Sequence, residues 1–300
     1  MSGPKRRINA LLARTTGYRF VNATNAAATV AMTEQIKRLN EATKRHEAAA
    51  ARLEKVATSL GGPEPKPAKA APKGTGFPPD FDEETAEIIR AVKGYTMTGP
   101  EKLHGLIAAA RYVHRHDIPG DVVECGVWRG GSMQAVARTF DSFGDHSRDL
   151  YLFDTFEGMP PPSEKDVRLR DGKAADDLLA VAADDSWVKA AATLEDVKDG
   201  MSKVSYPAEK IHYVQGMVEE NVPEHAPEQI SILRLDTDWY ASTKHEFDHL
   251  YPRLVSGGVL IIDDYGYWDG SREATEEFLE KSGAKLLLVR CGSGRIGVKP

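Results

Sequence analysis

Residues 231–266 read SILRLDTDWYASTKHEFDHLYPRLVSGGVLIIDDYG and contain two short apolar runs that end in aspartates. The first run ends at Asp236 and the second at Asp263 and Asp264, and residues with helical apolar spacing lie between the two runs. A strand, a helix and a second strand in this order form the unit from which parallel sheets are built. The stretch therefore predicts two neighbouring parallel strands with carboxylates at their carboxyl ends.

The same alternation of strands and helices extends over the chain from residue 100 onward. Residues 100–116 predict a helix, with Thr98 as its N-cap, and five short apolar runs of strand type follow. Two further strands, KLLLVR and RIGVKP, are expected near the C-terminus, antiparallel at one edge. Together these segments predict an α/β fold with a doubly wound, mostly parallel seven-stranded sheet that is covered on both faces. The five runs are DVVECGV (121–127), DLYLFDT (149–155), KIHYVQG (210–216), SILRLDT (231–237) and GVLIIDD (258–264).

The N-terminal quarter of the chain differs in charge from the rest. It is basic, whereas the whole chain of 300 residues carries a formal charge of -6. Residues 1–60 predict a basic segment with a helix, and their weak heptad pattern leaves open an oligomerising coiled coil or a solvated helix. Residues 61–79 are rich in Pro, Lys and Ala and predict a linker. Residues 80–300 predict the folded domain, with a lid-like insertion at about 160–206.

The composition excludes several classes of protein. Cys125 and Cys291 are too few and too far apart for a disulfide framework or a cysteine metal motif. No run of about 18 apolar residues is available to span a bilayer, and the N-terminus lacks the apolar core of a secretory signal. We therefore expect a cytoplasmic protein with no transmembrane segment and no nucleic-acid partner.

The turn after the first predicted strand, ECGVWRGGS, has glycines where a backbone must approach a ligand closely. It departs from the GxGxxG pattern, because Trp128 and Arg129 occupy positions that a pyrophosphate-binding turn keeps small. Asp154 ends the second strand, where an acid can accept hydrogen bonds from both hydroxyls of a ribose. A nucleoside ligand without a phosphate chain, such as S-adenosylmethionine, fits this pattern better than a dinucleotide.

Asp236, Asp263 and Asp264 are candidate metal ligands at two neighbouring strand ends. An all-oxygen set favours Mg²⁺, Mn²⁺ or Ca²⁺ over zinc. Asp238 lies two residues beyond its strand and is interpreted as a structural residue that caps the following helix. His245 on that helix has a second histidine four residues later, but the helix should pack on the sheet, so these histidines are expected to have no catalytic role.

Four stretches resemble the TylF/MycF family of S-adenosylmethionine-dependent, Mg²⁺-dependent sugar O-methyltransferases: GDVVECGVWRGGS, LYLFDTFEGMP, RLDTDWYASTKHEFDHLYPRL and GGVLIIDDYG. This family includes macrocin, mycinamicin and novobiocin sugar methyltransferases. The resemblance covers roughly residues 90–300 and does not include the first 75 residues. It implies a class I methyltransferase (Rossmann-like) fold, a divalent cation, usually Mg²⁺, and methylation of a sugar hydroxyl in antibiotic biosynthesis.

The resemblance also assigns roles to individual residues. Asp236, Asp263 and Asp264 would ligate the metal, and Asp236 would in addition be the catalytic base. Asp154 would hold the ribose of the cofactor. The residues that would bind the methionine part, the ribose, the adenine or the outer face of the cofactor are Met97, Thr98, Glu124, Gly126, Ser132, Asp154, Thr155, Gly216 and Met217.

The residues leave other functions open. A catechol-type O-methyltransferase, acting on a vicinal aromatic diol, would need the same chelating chemistry. A nucleotide-dependent oxidoreductase is disfavoured by the first turn, and a non-catalytic scaffold is disfavoured by the intact acids. No residue identifies the acceptor, which is expected to be a glycosylated small molecule or a glycan. The enzyme is expected to be a homo-oligomer, aided by the N-terminal helix.

Overall fold

The chain divides into two compact units, Met1–Ala71 and Pro72–Pro300. The computed structural model describes three exposed helical residues of the first unit and most of the second unit, namely Lys37, Glu41, Lys44, 76–182 and 189–300. Apart from these three residues, the predicted coiled coil lies outside the described residues, as does most of the predicted linker, so both stay predictions. No helix among the described residues is long and apolar enough to cross a membrane.

The second unit is built on a mostly parallel sheet, as the sequence predicted. The strands of the described residues are β1 (Asp121–Cys125), β2 (Leu150–Asp154), β3 (Val167–Arg168), β4 (Lys173–Ala174), β5 (Ile211–Gln215), β6 (Ile230–Leu235), β7 (Leu254–Ile262), β8 (Val289–Cys291) and β9 (Gly294–Val298). Seven of them form one sheet with the order β5-β2-β1-β6-β7-β9-β8. The first five in this order are parallel, and β9 is antiparallel to β7 and β8. The prediction of two C-terminal strands is confirmed for RIGVKP, which contains most of β9, whereas in KLLLVR only Val289 and Arg290 belong to a strand, the edge strand β8.

Eight α-helices and two short 3₁₀ helices connect or flank these strands in the described residues. The α-helices are α1 (Glu83–Val92), α2 (Pro100–Arg115), α3 (Gly131–Ser142), α4 (Ala175–Val181), α5 (Leu194–Met201), α6 (Val218–Asn221), α7 (Tyr240–His249) and α8 (Asp269–Ser282), and the 3₁₀ helices span Ala208–Lys210 and Tyr251–Arg253.

The start of α2 differs from the prediction in its cap. The helix begins at Pro100, whose fixed φ suits the first turn, but the N-cap residue is Gly99 and it makes no side-chain cap bond. The prediction that Thr98 is the N-cap is wrong, because the hydroxyl of Thr98 instead accepts a hydrogen bond of 2.9 Å from Arg234. The residue is held by the sheet and not by the helix that follows it.

Both faces of the sheet are buried, because successive side chains of a strand point to opposite faces. In β2, Leu150 and Leu152 point to one face of the sheet and pack in the same core as Phe140 of α3. Phe153 points to the other face and belongs to the core that contains Phe247 of α7. This explains why the strands read as continuous apolar runs and not as alternating ones.

Residues 160–182 form a separate layer, which we name the insertion wall. It contains the β3–β4 ribbon and α4. Its Ala175 packs in a small apolar cluster with Trp239 and Trp268. The carboxylate of Asp166 is buried and accepts a hydrogen bond of 2.7 Å from the backbone N–H of Tyr240 at the start of α7. The insertion wall is therefore fastened to the ends of the helices that follow β6 and β7.

Helix α5 lies within the predicted lid-like insertion but packs elsewhere. Its Val197 and Met201 are buried in the same core as Phe140. The segment after the insertion wall thus helps to cover the sheet.

Candidate active site

A cavity of about 730 Å³ lies at the carboxyl ends of the five parallel strands. Ligands of doubly wound sheets bind at this edge. The structure brings ten of the twelve residues predicted for the site together in the cavity lining. They are Met97, Thr98, Gly126, Asp154, Thr155, Gly216, Met217, Asp236, Asp263 and Asp264.

The turn after β1 touches the end of β6. Gly126 has a φ of 84°, and a Cβ atom there would lie 2.0 Å from the carbonyl oxygen of Asp236. The backbone N–H of Asp236 in turn donates a 2.8 Å hydrogen bond to the carbonyl oxygen of Cys125. Only glycine fits this position, since any side chain would push the two strands apart. The turn after β1 and Asp236 are consequently held at a fixed spacing.

Asp154, predicted to hold a ribose, organises the first turn. One carboxylate oxygen accepts backbone N–H bonds from Val127 at 2.7 Å and Trp128 at 2.9 Å. The other accepts a 2.8 Å bond from the backbone N–H of Phe156. A carboxylate has about four acceptor positions, so some capacity is left for a ligand. The ribose role stays a prediction, and the contacts with the turn are a finding that the sequence analysis missed.

Two of the predicted cofactor residues lie behind the cavity surface. Glu124 is 1% exposed, and its carboxylate accepts a 2.6 Å hydrogen bond from Arg234. Burial raises the pKa of Glu124 to about 7. Ser132 lies in the first turn of α3 and is also buried. Neither residue is among those that line the cavity. Their assignment to the methionine part of the cofactor stays a prediction.

The three predicted metal ligands lie together. Each of Asp236, Asp263 and Asp264 offers a carboxylate oxygen, and these oxygens lie within 4.8 Å of one another. The reason is the register of β6 and β7, in which Leu235 pairs with Ile262. The aspartates that follow these two residues therefore leave the sheet side by side.

Arg234 is the main cation of the cluster. Its side chain is 3% exposed and lies 2.6 Å from a carboxylate oxygen of each of three acids: Glu124, Asp236 and Asp263. The sequence analysis missed this residue, although one signal was present. In SILRLDT a charged residue interrupts a run that is otherwise buried and apolar. A charge in such a strand needs a buried partner of opposite sign.

Lys102 is the second cation of the cluster. It lies in the first turn of α2, and its Nζ donates to one carboxylate oxygen of Asp263 and, at 3.1 Å, to the carbonyl oxygen of the same residue. The two residues are separated by 161 positions in the sequence. No motif spacing could therefore have predicted the pair.

The charges of this cluster leave an excess of acid. Burial raises the pKa of Asp236 and Asp264 well above the usual value for an aspartate. Burial acts on Asp263 in the same direction, but the nearby charges of Arg234 and Lys102 outweigh it and lower the pKa of that carboxyl group. Buried carboxylates in excess over cations, all offering hard oxygen ligands, fit a divalent cation such as Mg²⁺.

Asp238 has a structural role, but not the one predicted. The N-cap of α7 is Trp239, which makes no side-chain cap bond. The prediction that Asp238 caps this helix is wrong, because one of its carboxylate oxygens accepts a 2.6 Å hydrogen bond from the indole N–H of Trp268. Its backbone N–H donates to Asp264 at 3.2 Å. Asp238 therefore connects the acidic cluster to the aromatic part of the cavity.

Aromatic side chains form the cavity wall next to the acidic cluster. The rings of Trp239 and Trp268 meet edge to face, with centroids 5.1 Å apart. The indole N–H of Trp239 donates a 2.9 Å hydrogen bond to the carbonyl oxygen of Pro160 in the insertion wall. Both indoles are thus fixed by hydrogen bonds, and although they are largely buried they line one part of the cavity together with Tyr267.

Comparison with known proteins places this arrangement in a family. Residues 77–290 match the model of the macrocin O-methyltransferase (TylF) family. The chain belongs to this family. It is accordingly an O-methyltransferase, and the family implies S-adenosylmethionine as the methyl donor.

Two curated relatives of this TylF family member are about equally similar to it. A tetracenomycin 4'-O-methyltransferase of Streptomyces olivaceus, which acts on a 2,3-dimethoxy-alpha-L-rhamnosyl derivative, is 31% identical over 195 residues, or 63% of this chain and 69% of the relative. The mycinamicin III 3''-O-methyltransferase of Micromonospora griseorubida is 29% identical over 201 residues, or 65% of this chain and 74% of the relative.

Two solved structures share the fold. The O-methyltransferase NovP superposes with a TM-score of 0.60 at 27% identity, over 68% of this chain and 82% of NovP. The calicheamicin methyltransferase CalS11 gives a TM-score of 0.51 at 20% identity, over 74% of this chain and 93% of CalS11. With the seven-stranded sheet, these neighbours show the class I, Rossmann-like methyltransferase fold that the sequence predicted.

His245 and His249 of α7 are not among the residues that line the cavity. The ring of His245 makes a 2.9 Å hydrogen bond with the carbonyl oxygen of Val222 and lies 4.3 Å from the ring of His249. Among the described residues that line the cavity there is no histidine. The role of Asp236 as the base stays a prediction.

Glu246 of α7 is a buried acid that the sequence analysis missed. One of its oxygens accepts a 2.9 Å hydrogen bond from the hydroxyl of Thr237, and the carboxyl group also interacts with the buried thiol of Cys125. Burial raises the pKa of Glu246 from 4.5 to about 8. The side chain therefore carries a proton at neutral pH.

The raised pKa of Glu246 gives a testable pH dependence. The folded state binds the proton more tightly than the unfolded chain, so Glu246 lowers the stability as the pH rises from about 4.5 to 8. We expect Glu246→Gln to stabilise the protein at pH 9 by up to about 5 kcal/mol, since the pKa of Glu246 rises from 4.5 to about 8 on folding and a difference of one in pKa corresponds to about 1.4 kcal/mol. At pH 4.5 the effect should nearly vanish.

Urea unfolding from pH 4.5 to 9 measures this difference. Glu220→Gln, which changes an exposed glutamate on α6, is the control and should leave the dependence of stability on pH unchanged. If Glu246→Gln and the wild type lose stability equally between pH 5 and 9, Glu246 is not the titrating group.

Proposed function

We propose that the protein transfers the methyl group of S-adenosylmethionine to a hydroxyl of a sugar carried by a natural product or glycan. The observation that carries this proposal is the position of the acidic cluster. Asp236, Asp263 and Asp264 line a cavity that is also lined by the turn after β1. The aromatic side chains of Trp239, Tyr267 and Trp268, which we call the aromatic wall, line it as well. The names of the relatives, one for a rhamnosyl compound and one for mycinamicin, support the choice of acceptor.

The cofactor side of the cavity is formed by the ends of β1, β2 and β5. Gly126 lets the backbone approach the ligand, and Asp154 holds the turn around it. Gly216 and Met217 follow β5, where the adenine would lie. Thr98 lies just before the N-cap residue of α2. The backbone and these side chains thus orient the sulfonium toward the acidic cluster.

The acidic cluster prepares the acceptor. A divalent cation bound by Asp236, Asp263 and Asp264 would lower the pKa of the acceptor hydroxyl and orient it. Asp236 accepts the hydroxyl proton as the bond between oxygen and the methyl carbon forms and the bond between sulfur and that carbon breaks. Its carboxylate lies at the end of β6 beside Asp263 and Asp264, where it would be within reach of a hydroxyl held by the cation. The products are the methyl ether and S-adenosylhomocysteine.

The aromatic wall fits the proposed acceptor. Tyr267, which is partly exposed, and the buried indoles of Trp239 and Trp268 line the cavity, where their rings would contact the C–H groups of a sugar or an attached ring system. Their place beside the aspartates would bring a hydroxyl of that sugar to Asp236.

We further propose that the enzyme acts as a cytoplasmic homo-oligomer. Its cysteines, Cys125 and Cys291, are both free thiols, which suits a reducing compartment.

Methyl transfer to a panel of acceptors tests the proposed function. We expect labelled methyl groups to pass from S-adenosylmethionine to glycosylated natural products or oligosaccharides, to stop with EDTA and to return with Mg²⁺. Simple catechols and unglycosylated aglycones are the controls and should remain unlabelled. Labelling of catechols alone would replace the sugar acceptor by a vicinal aromatic diol. Full activity in EDTA would remove the divalent cation from the proposal.

A further inference from the structure

The carboxylate of Asp263 already has a cationic partner on each oxygen. Arg234 lies 2.6 Å from Oδ1, and Lys102 Nζ donates to Oδ2. The salt bridges of the described residues give Asp236 a cationic partner as well, but none to Asp264. A divalent cation at this cluster would therefore meet two positive charges that already share its proposed ligands.

The two cations differ in how firmly they are held. Arg234 is 3% exposed and has four partners, since its guanidinium also contacts Thr98 at 2.9 Å and two further acids. The Lys102 side chain is 17% exposed, and the atoms that accept from its Nζ all belong to Asp263. A lysine side chain is also the more flexible of the two types. Of the two, only Lys102 can leave the cluster without exposing several buried charges.

We propose that Lys102 is an internal competitor for the metal site. Its ammonium group neutralises Asp263 in the metal-free protein and leaves that carboxylate when a divalent cation binds. Like charges in a partly buried site repel strongly, so an ammonium group that stayed in place would weaken metal binding. This inference rests on the proposed metal site and adds that the chain itself sets the metal affinity through Lys102.

The position of Lys102 connects this exchange to the cofactor side of the cavity. It lies in the first turn of α2, and Met97 and Thr98, which precede that helix, line the same cavity. Release of Lys102 would break the contact between α2 and Asp263, which follows β7, and would leave the contact between Thr98 and Arg234 in place. The segment that contains Met97 and Thr98 would therefore stay attached to the sheet when the Lys102 side chain leaves the cluster.

Binding of Mn²⁺ to the full-length protein without cofactor tests the proposal, with isothermal titration at constant pH and ionic strength. We expect Lys102→Met to bind Mn²⁺ on the order of tenfold more tightly than the wild type, because the competing charge is gone. Lys102→Arg keeps the charge and should remain close to the wild type. Lys244→Met removes an exposed lysine that pairs with Asp248 on α7 and is the matched control.

The melting temperature of each variant gives a second measurement. Without metal, Lys102→Met should melt below the wild type, since Asp263 loses one cation, and saturating Mn²⁺ should remove most of that difference. Equal or weaker Mn²⁺ binding by Lys102→Met would overturn the proposal and make Lys102 a residue that positions Asp263. If the wild type binds no Mn²⁺ even with S-adenosylhomocysteine present, the proposed metal site fails, and the role of Lys102 fails with it.

Discussion

Replacing Asp236 with Asn should lower methyl transfer at least about a thousandfold, since loss of a general base alone costs about a hundredfold to ten-thousandfold. Asn cannot accept the hydroxyl proton, and its amide is a weaker ligand for a divalent cation than a carboxylate. The change is nearly isosteric, and Arg234 keeps Glu124 and Asp263 as partners. We therefore expect the fold and the affinity for the cofactor to change little.

Single-turnover methyl transfer measures this loss, and titration with S-adenosylhomocysteine measures cofactor binding. Asp248→Asn, on the exposed side of α7, serves as the control for the same chemical change. Near-normal turnover by purified Asp236→Asn would show that another group takes the proton. Loss of cofactor binding together with turnover would place Asp236 on the cofactor side of the cavity.

Replacing Arg234 with Met should lower the free energy of unfolding by about 3–5 kcal/mol, as expected when a buried charged group loses its partner. The substitution leaves Glu124, Asp236 and Asp263 next to an apolar side chain, with Lys102 as the remaining cation of the cluster. Burial already raises the pKa of Glu124 to about 7 with Arg234 present, although the charge of Arg234 lowers it. Without that charge the pKa rises further.

The pH dependence of this loss follows from the sign of the shift. Acids whose pKa is raised in the folded state bind protons more tightly there than in the unfolded chain, so the variant should recover stability as the pH falls. Urea unfolding at pH 5 and pH 8 should show the larger deficit at pH 8. The double variant Arg234→Met/Glu124→Gln should regain part of it. A deficit below about 1 kcal/mol that is the same at both pH values would contradict the role given to Arg234.

The strands and the acidic cluster at their ends could be predicted from the sequence for one physical reason. Strands buried on both faces read as continuous apolar runs, and a polar residue marks the point where such a run leaves the core. Because parallel strands end at the same edge, Asp236 and Asp263 had to lie close together once β6 and β7 were neighbours. The chain order alone carried this information.

The partners of these aspartates could not be predicted in the same way. Lys102 reaches Asp263 across 161 residues, and its helix position depends on how α2 packs on the sheet. Glu124 lies within β1, so its side chain points to Arg234 on the adjacent strand and not into the cavity. The backbone contacts of Asp154 likewise depend on the shape of the turn after β1. The partners of these side chains are set by how helices, strands and turns pack on one another, and the sequence of each single element does not reveal that packing.

The insertion wall acts on the cavity from outside it. Residues 160–182 join the rest of the second unit through polar contacts and a small aromatic cluster, apart from the two cores that cover the sheet. Of these residues Pro160 alone lines the cavity, whereas Trp239 and Trp268, which the wall contacts, both line it. A substitution in the wall would therefore reach the proposed acceptor through the positions of these two indoles, and Gly126, Asp236 and the sheet register would keep their places.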